Sequence, residues 1–422
     1  MERINVNERG EESPCCSRSE NMEKANSLKF PPFNHSGVYI IPSLSVNLSI
    51  GFKYVQVETL SDETLLLAVH EKCKVRDVYL CCCSHLNIKN DQILGLALRN
   101  PSEGIGCNHP RYEYFFLEFD QSISKYAPKH SRFSYSRNDL INNRPFLMLY
   151  IRVRLFVDMV QLIRCRNTLE QYYLQLRHNL LDQWSASNSV PEERCWEMTA
   201  LALQVDQNRE DIKIEQYFPL WVINIRGFDF IRQNLAKIQK HFKNISKIGS
   251  MQEYCQQASR SPFALNCHLY GLRRSKADVV DNAVIGITPK GVDICGVEND
   301  GERILLQSLQ WRKISKLSFD KRKLSIAGVG NSSSISLYAQ SEFKARYILE
   351  FCRSFHQATI HSHSQLRLDQ CKHMNTFPRK RKLLWMKFRK MRCHKGKLEN
   401  NYSTLSKKNR KSVFPFLQKT FL

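Results

Sequence analysis

Hydrophobic and polar positions divide the chain into three stretches with different periods. The first begins at Phe52. In KYVQVETL, Tyr54, Val55, Val57 and Leu60 alternate with polar residues, which predicts a strand; SDE turns the chain, and TLLLAVHE returns as a second strand. VRDVYLCCCSHL reads as a helix with Val75, Val78, Cys82 and Leu86 on one face. DQILGLALRN and YEYFFLEFD read as further strands, and FLMLYIRVRLFV (146–157) is the most apolar strand of all. The order ββαββ…β, with a loop of about 25 residues before the last strand, describes a ubiquitin-like fold.

The period then changes to that of a helix. Thr168 and Gln171 are spaced as a capping box ahead of LEQYYLQLRHNLLDQW, where Leu169, Tyr172, Tyr173, Leu176 and Leu180 fall on one face. Pro191 opens PEERCWEMTALALQVD, with Glu192 and Glu193 suited to a first turn. Its middle, MTALALQV, is apolar almost all round, as a buried central helix is. In GFDFIRQNLAKIQKHF the stripe is Phe228, Ile231, Leu235, Ile238 and Phe242.

After Pro262 the period returns to two. AVIGI and VDICGV flank the Pro289-Lys290-Gly291 turn as a hairpin, and RILLQSLQW, KISKLSFD, RKLSIAG and SISLYAQ continue as short strands. SEFKARYILEFCRSFHQATI closes the stretch as an amphipathic helix carrying Phe343, Tyr347, Phe351 and Phe355. Seven or so strands capped by one helix describe a PH/PTB-type sandwich. The fold class is α+β and multi-lobed, with boundaries expected at 1–49 (a flexible leader), 50–157, 158–262, 263–360 and 361–422 (a basic tail).

The order of lobes and the sequences within them resemble the FERM domain. YYLQLRHNLL is similar to the segment that opens the family's helical lobe, and ALALQVD to its central helix. YFPLWVI followed by RGFDFI is similar to its third segment, and GITPKGVDI with LQWRKISKLSFDKRKLSI to the strands of its last lobe. QYFPLWVINIRGFDFI and ISKYAPKH point within the family to the Willin/Expanded branch, whereas CCCSHL and the 129–145 insert fit no pattern of it. The resemblance implies a cloverleaf of a ubiquitin-like (F1), an acyl-CoA-binding-protein-like helical (F2) and a PH/PTB-like (F3) lobe. It also implies a non-catalytic adaptor under the plasma membrane, binding phosphoinositides and the cytoplasmic tails of membrane proteins. For that branch it implies an upstream, growth-restraining role toward the Hippo kinases at cell junctions. A PPxY motif is missing; the Pro31-Pro32 pair is followed by Phe-Asn.

Charge adds a second theme. The 422 residues carry a formal +23. Between Lys372 and Lys411 fifteen Lys/Arg face one acid, Glu399, so this tail holds +14 and the rest +9. Charge concentrated at one end favours a docking tail over a wholly basic nucleic-acid machine, and no supporting fold for specific nucleic-acid reading is present. In PRKRKLLWMKFRKMRCHKGK, a helix would place Leu384, Phe388 and Met391 on one stripe. Trp385 and the cations Arg379, Lys380, Arg381 and Lys382 take the remaining surface. That is a basic amphipathic segment suited to an anionic lipid interface. The membrane tail is the economical reading; PRKRK as a nuclear import signal is the alternative, which would make the protein a signalling scaffold that shuttles to the nucleus, and a solvated charge run is the third reading.

Within the lobes, Lys72, Lys74 and Arg76 flank the first helix start. Arg312, Lys313 and Lys316 follow the Trp311 strand end, and Lys321, Arg322 and Lys323 form the next turn. The resemblance implies that such positions in F1 and F3 converge on one phosphate-rich head group; solvated turns account for them equally well. A peptide-binding groove is expected between SISLYAQ and the last helix, lined by Ser336, Tyr338, Phe343 and Tyr347, because an edge strand beside a helix suits strand addition.

Catalytic chemistry finds little support. Cys267 and Arg273 have C-x5-R spacing, but the bulky HLYGL between them cannot wrap a phosphate in backbone N–H groups. Cys352, His356, His361 and His363, or Cys371, His373, Cys393 and His394, lack paired metal-ligand spacing, and no metal or cofactor is expected. There is no P-loop, G-x-S-x-G or dinucleotide fingerprint. The N-terminus has no apolar signal region and no run reaches the ~20 residues of a membrane span. Most of the fifteen cysteines are therefore expected to be reduced and buried.

Overall fold

The computed structural model describes residues 37–376, apart from residues 45, 47, 90–92, 103–110, 128–146, 182–189, 207–211, 243–244, 261–263, 299–302 and 330–333. The chain divides into two compact units, one up to Arg346 and one from Tyr347 onward. The first unit holds three lobes.

Lobe one is a six-stranded sheet, β1 (Val38–Ile40), β2 (Phe52–Glu58), β3 (Thr64–His70), β4 (Leu94–Pro101), β5 (Tyr112–Phe116) and β6 (Leu147–Val153), in the order β1-β3-β2-β6-β4-β5. β2 and β3 form the expected hairpin, and Asp62 takes the left-handed conformation in its turn (φ 59°), where a short Asx side chain is tolerated. β6 lies between β2, to which it is parallel, and β4. That central place explains a strand buried at six of its seven positions. Helix α1 (Val75–His85) buries Val75, Val78, Tyr79, Cys82 and Cys83, and ends one residue before Leu86, which caps it. Residues 1–49 read as a flexible leader, yet Val38–Ile40 pairs with β3 and buries Val38. Three residues are too few to show a period, so only the pairing reveals this strand.

Lobe two is helical: α2 (Arg166–Leu181), α3 (Glu192–Val205), α4 (Leu220–Arg226), α5 (Phe228–Phe242) and α6 (Lys247–Ala258). α3 packs against α5 and α6, and Met198, Ala200, Leu201, Ala202, Leu203 and Val205 are all buried, as its all-round apolar middle requires. The Thr168–Gln171 capping box does not form. α2 starts two residues earlier, with the Cys165 carbonyl accepting from Leu169 N–H, and Thr168 is a fully buried residue inside the helix. On α5, Ile231 and Leu235 are buried, but Phe228 at the start of the expected stripe is exposed. The Gly227 turn (φ 77°) precedes α5 directly, so Phe228 lies at the helix end rather than over the core.

Lobe three contains β7 (His268–Leu272), β8 (Ala283–Ile287), β9 (Gly291–Val297) and β10 (Arg303–Gln310) in one antiparallel sheet. β11 (Ile314–Asp320), β12 (Lys323–Gly328) and β13 (Ile335–Tyr338) form a second sheet. The closing helix α7 (Glu342–Thr376) begins in the first unit and continues into the second. In that second unit Tyr347 stacks on Phe351 with ring centroids 5.7 Å apart, and Phe351 and Phe355 are buried. Phe343, expected on the same apolar face, is 69% exposed.

The three lobes of the first unit are joined by polar contacts. Asn179 of α2 donates to Leu265 O, Asn266 to Val157 O, and Tyr270 of β7 to Tyr114 O of β5. His268 donates from Nε2 to Arg154 O and packs against Phe116 and Phe156. The deepest link is ionic. Lys344 Nζ lies 2.9 Å from Glu113 on β5 and 3.4 Å from Asp281, while Gly271 N–H and Ser102 Oγ also donate to Glu113. Burial pushes the Glu113 carboxyl up, and Lys344 opposes that shift. Three donors converging on it match an ionised acceptor.

Candidate functional site

The β11–β12 turn is the place where the basic residues gather. Lys321 occupies its left-handed position (φ 50°), which turns the strand sharply. Next to it, Arg273 at the end of β7 exchanges both backbone hydrogen bonds with Tyr338 of β13, N to O at 2.8 Å each way. That isolated bridge draws the 273–276 segment against the turn. The result is a concavity of about 430 Å³ lined by Arg273, Lys276, Asp320, Lys321, Arg322, Lys323, Tyr338 and Ala339. Among the described lining residues, five cations face one carboxylate. Arg273 is partly engaged, its Nε 3.7 Å from the buried Asp281. Basic groups on a concave wall focus a positive potential on any anion that enters.

Of the expected lipid contacts, Lys321, Arg322 and Lys323 line this concavity, and the other six do not. Arg312, Lys313 and Lys316 are exposed; the first two precede β11, at its far end, about 20 Å from the turn at ~3.3 Å per residue. Lys72, Lys74 and Arg76 are exposed on lobe one, where Arg76 pairs with Asp120 at 2.9 Å and Asp77 accepts from Lys74 N–H. Arg273 and Lys276 were missed because they lie some fifty positions upstream of the turn. Their signal was the basic run LRRSK.

The expected peptide groove needs revision at its edge. Both backbone groups of Tyr338 are already bonded to Arg273, so β13 is not a free edge at that end. Among the described residues, β11 is the outer strand of the same sheet and pairs only with β12. Ser336 and Tyr338 are half-buried and Phe343 is exposed. Tyr347 belongs to the second unit. The tail contacts Arg379, Lys380, Arg381, Lys382, Leu384, Trp385, Phe388 and Met391 lie outside the described residues.

Cys267 and Arg273 do not form a phosphatase loop. The residues between them are strand β7, burial pushes the Cys267 thiol up to about 12, and Arg273 is held by Asp281. Among the described residues no group of three or more His, Cys, Asp or Glu could hold a metal ion, and all ten described cysteines are free.

Residues 158–270 match the FERM central domain and residues 280–367 the FERM C-terminal PH-like domain. With the sheet lobe that precedes them, they make this a FERM-domain protein. Its relatives include tyrosine-protein phosphatase non-receptor type 13 of Mus musculus, 25% identical over 72% of this chain, and Protein expanded of Drosophila melanogaster, 24% identical over 75%. The chain spans 12% and 27% of the length of those two relatives. The crystal structure of the FERM and C-terminal domain complex of Drosophila Merlin shares the fold. Its TM-score is 0.54 at 15% identity, covering 74% of this chain and 98% of that one. A FERM domain is a binding module without catalytic residues of its own, and among the described residues no helix is long and apolar enough to cross a membrane.

Proposed function

We propose that this protein is a FERM adaptor at the cytoplasmic face of the plasma membrane, holding anionic lipid head groups in the basic concavity of lobe three. The observation that carries this reading is the convergence of Arg273, Lys276, Lys321, Arg322 and Lys323 around about 430 Å³, with Asp320 the one acid among the described lining residues. Guanidinium and ammonium groups on a concave wall suit a multiply charged phosphate. The tail, with +14 in forty residues, would add a second anionic contact on the same chain, so that the second engagement is intramolecular.

The same reading gives the protein cytoplasmic tails of membrane proteins as partners. The outer edge of β11 suits strand addition, with Phe319 beside it and the Arg346 guanidinium 5.6 Å from that ring. The likeness to Protein expanded supports a place upstream in Hippo signalling. The test is co-sedimentation with vesicles containing phosphatidylinositol bisphosphate, for the full chain and for a Lys321→Ala/Arg322→Ala/Lys323→Ala variant. Binding should fall at least fivefold in the variant; equal binding removes the lobe-three site from the function.

A further inference from the structure

We propose that the junction of the three lobes is a second, interior anion site, which takes one phosphate group of a soluble phosphate. A cavity of about 60 Å³ opens there, and all three lobes contribute to its wall: Tyr112, Tyr114 and Arg152 from lobe one, Gln175 and Asn179 from α2, Arg303 from lobe three. None of the fifteen lining residues is acidic. A single water needs about 10–15 Å³, so the space holds roughly four, comparable to the four oxygens of a phosphate.

The charge pattern asks for an anion. Arg152 is buried, yet among the described residues it has no carboxylate partner. Its Nη1 donates to Ile151 O at 3.2 Å and its Nη2 to the Tyr114 hydroxyl at 3.1 Å. A guanidinium has five N–H donors in a planar fork, so it retains capacity on the cavity side. Arg303 on the lobe-three wall is also buried and interacts electrostatically with Asp293. A buried cation without its counter-charge is costly, and a bound oxyanion supplies that charge with bidentate geometry.

The strands beside the cavity carry the same chemistry. Along β4, β5 and β6, guanidinium groups alternate with phenol rings. Arg99 lies 4.3 Å from the Tyr112 ring and 4.5 Å from Tyr150, and Arg152 lies 4.8 Å from Tyr114 and 5.7 Å from Tyr150. Arg99 is exposed and, among the described residues, has no carboxylate partner either. Ring stacking holds both guanidinium planes without neutralising them. This ladder is separate from the lobe-three turn and the site does not depend on the membrane reading.

The experiment uses the full chain in a phosphate-free buffer. Thermal unfolding is followed with inorganic phosphate, with inositol hexakisphosphate, and with sodium chloride of matched ionic strength. The expected result is a rise of about 2–4 °C with either phosphate over the chloride control, corresponding to near-millimolar affinity. The rise should persist in Lys321→Ala/Arg322→Ala/Lys323→Ala and vanish in Arg152→Met. Gln175→Glu, which places a fixed carboxylate in the wall, should abolish the phosphate response while retaining the fold, so the outcome does not hang on one variant. No rise in the wild type beyond chloride means that water alone fills the cavity and overturns the proposal. A rise lost in the turn variant assigns the effect to the surface, and a rise retained in Gln175→Glu excludes the junction. A response to vesicles of phosphatidylinositol bisphosphate that requires Arg152 would make the source a lipid and overturn the soluble ligand.

Discussion

Lys344 and Glu113 are 231 positions apart in the chain and 2.9 Å apart in the structure, with side-chain exposures of 6% and 3%. The pair fastens the first turn of α7 to β5, and Asp281 shares the ammonium at 3.4 Å. Removing the cation leaves two buried carboxylates facing each other. Lys344→Met should therefore cost about 3–5 kcal/mol in urea unfolding. Glu113→Gln/Lys344→Met should cost less than the sum of the single changes, because the cycle removes the stranded charge. An additive result would show that the pair is not coupled.

Acid should weaken the fold before the carboxylates titrate. Burial holds His268 neutral, its pKa lowered from 6.5 to about 3, with Nε2–H donated to Arg154 O. His178 on α2 is lowered to about 4, by burial first and then by Arg152. In the unfolded chain both take up a proton below about 6.5, which the folded protein resists. Their stabilisation is full above 6.5 and drains as pH falls toward the folded values. The slope is at most about 1.4 kcal/mol per pH unit for each ring. Urea midpoints measured at pH 7 and pH 5 should differ, and His268→Gln, which retains a donor, should narrow that difference.

Gly291 is needed for space. A Cβ there would overlap the Leu309 carbonyl oxygen and come 2.8 Å from Gln310 Cα, both backbone atoms of the paired strand β10. Gly291→Ala should destabilise lobe three by about 1–3 kcal/mol. At Gly296 the obstacle is the far end of the Arg274 side chain, which can swing away, so Gly296→Ala should cost under about 1 kcal/mol. Thermal unfolding of the two variants side by side checks the contrast.

For the tail, charge and apolar burial should separate in salt. Changing Arg379, Lys380, Arg381 and Lys382 to Ala should weaken binding to anionic vesicles strongly at 0.1 M salt and little at 1 M, where the screening length drops from about 10 to 3 Å. Changing Trp385 and Phe388 to Ala should weaken it at both, since apolar burial is not screened. Co-sedimentation at the two salt concentrations reads the difference. Equal losses for both variants at both salts would remove the separation.

What could be read in the chain was what repeats locally. Tyr172, Tyr173 and Leu176 fall on a helical period, Val55 and Val57 on an alternating strand, and each is buried where that period places it. The rest depends on partners far away. Thr168 looked like a cap because its spacing to Gln171 fits one, but the buried position of α2 overrides that preference. Lys344 reads as one more surface lysine on an amphipathic helix; only the folded chain places Glu113 and Asp281 against it. The turn at Lys321–Lys323 was visible as a basic cluster, while Arg273 joined it through a two-bond bridge to Tyr338 that has no local pattern. Arg152 and Tyr114 could not be linked from the sequence, since their stacking follows from strand order rather than spacing.

The Glu113–Lys344 link also has a consequence for synthesis. At about 5–20 residues per second, the ribosome needs roughly 10–50 s to add the 231 residues that separate the two side chains. During that interval the strands of lobe one have emerged, β6 can close beside β2, and the carboxylate of Glu113 waits in a half-built wall with no ammonium to meet it. Water keeps it solvated only while that wall stays open. Nascent chains stalled before residue 344 should therefore expose β5 to proteases and chaperones, and completion of the first turn of α7 is the event that seals lobe one.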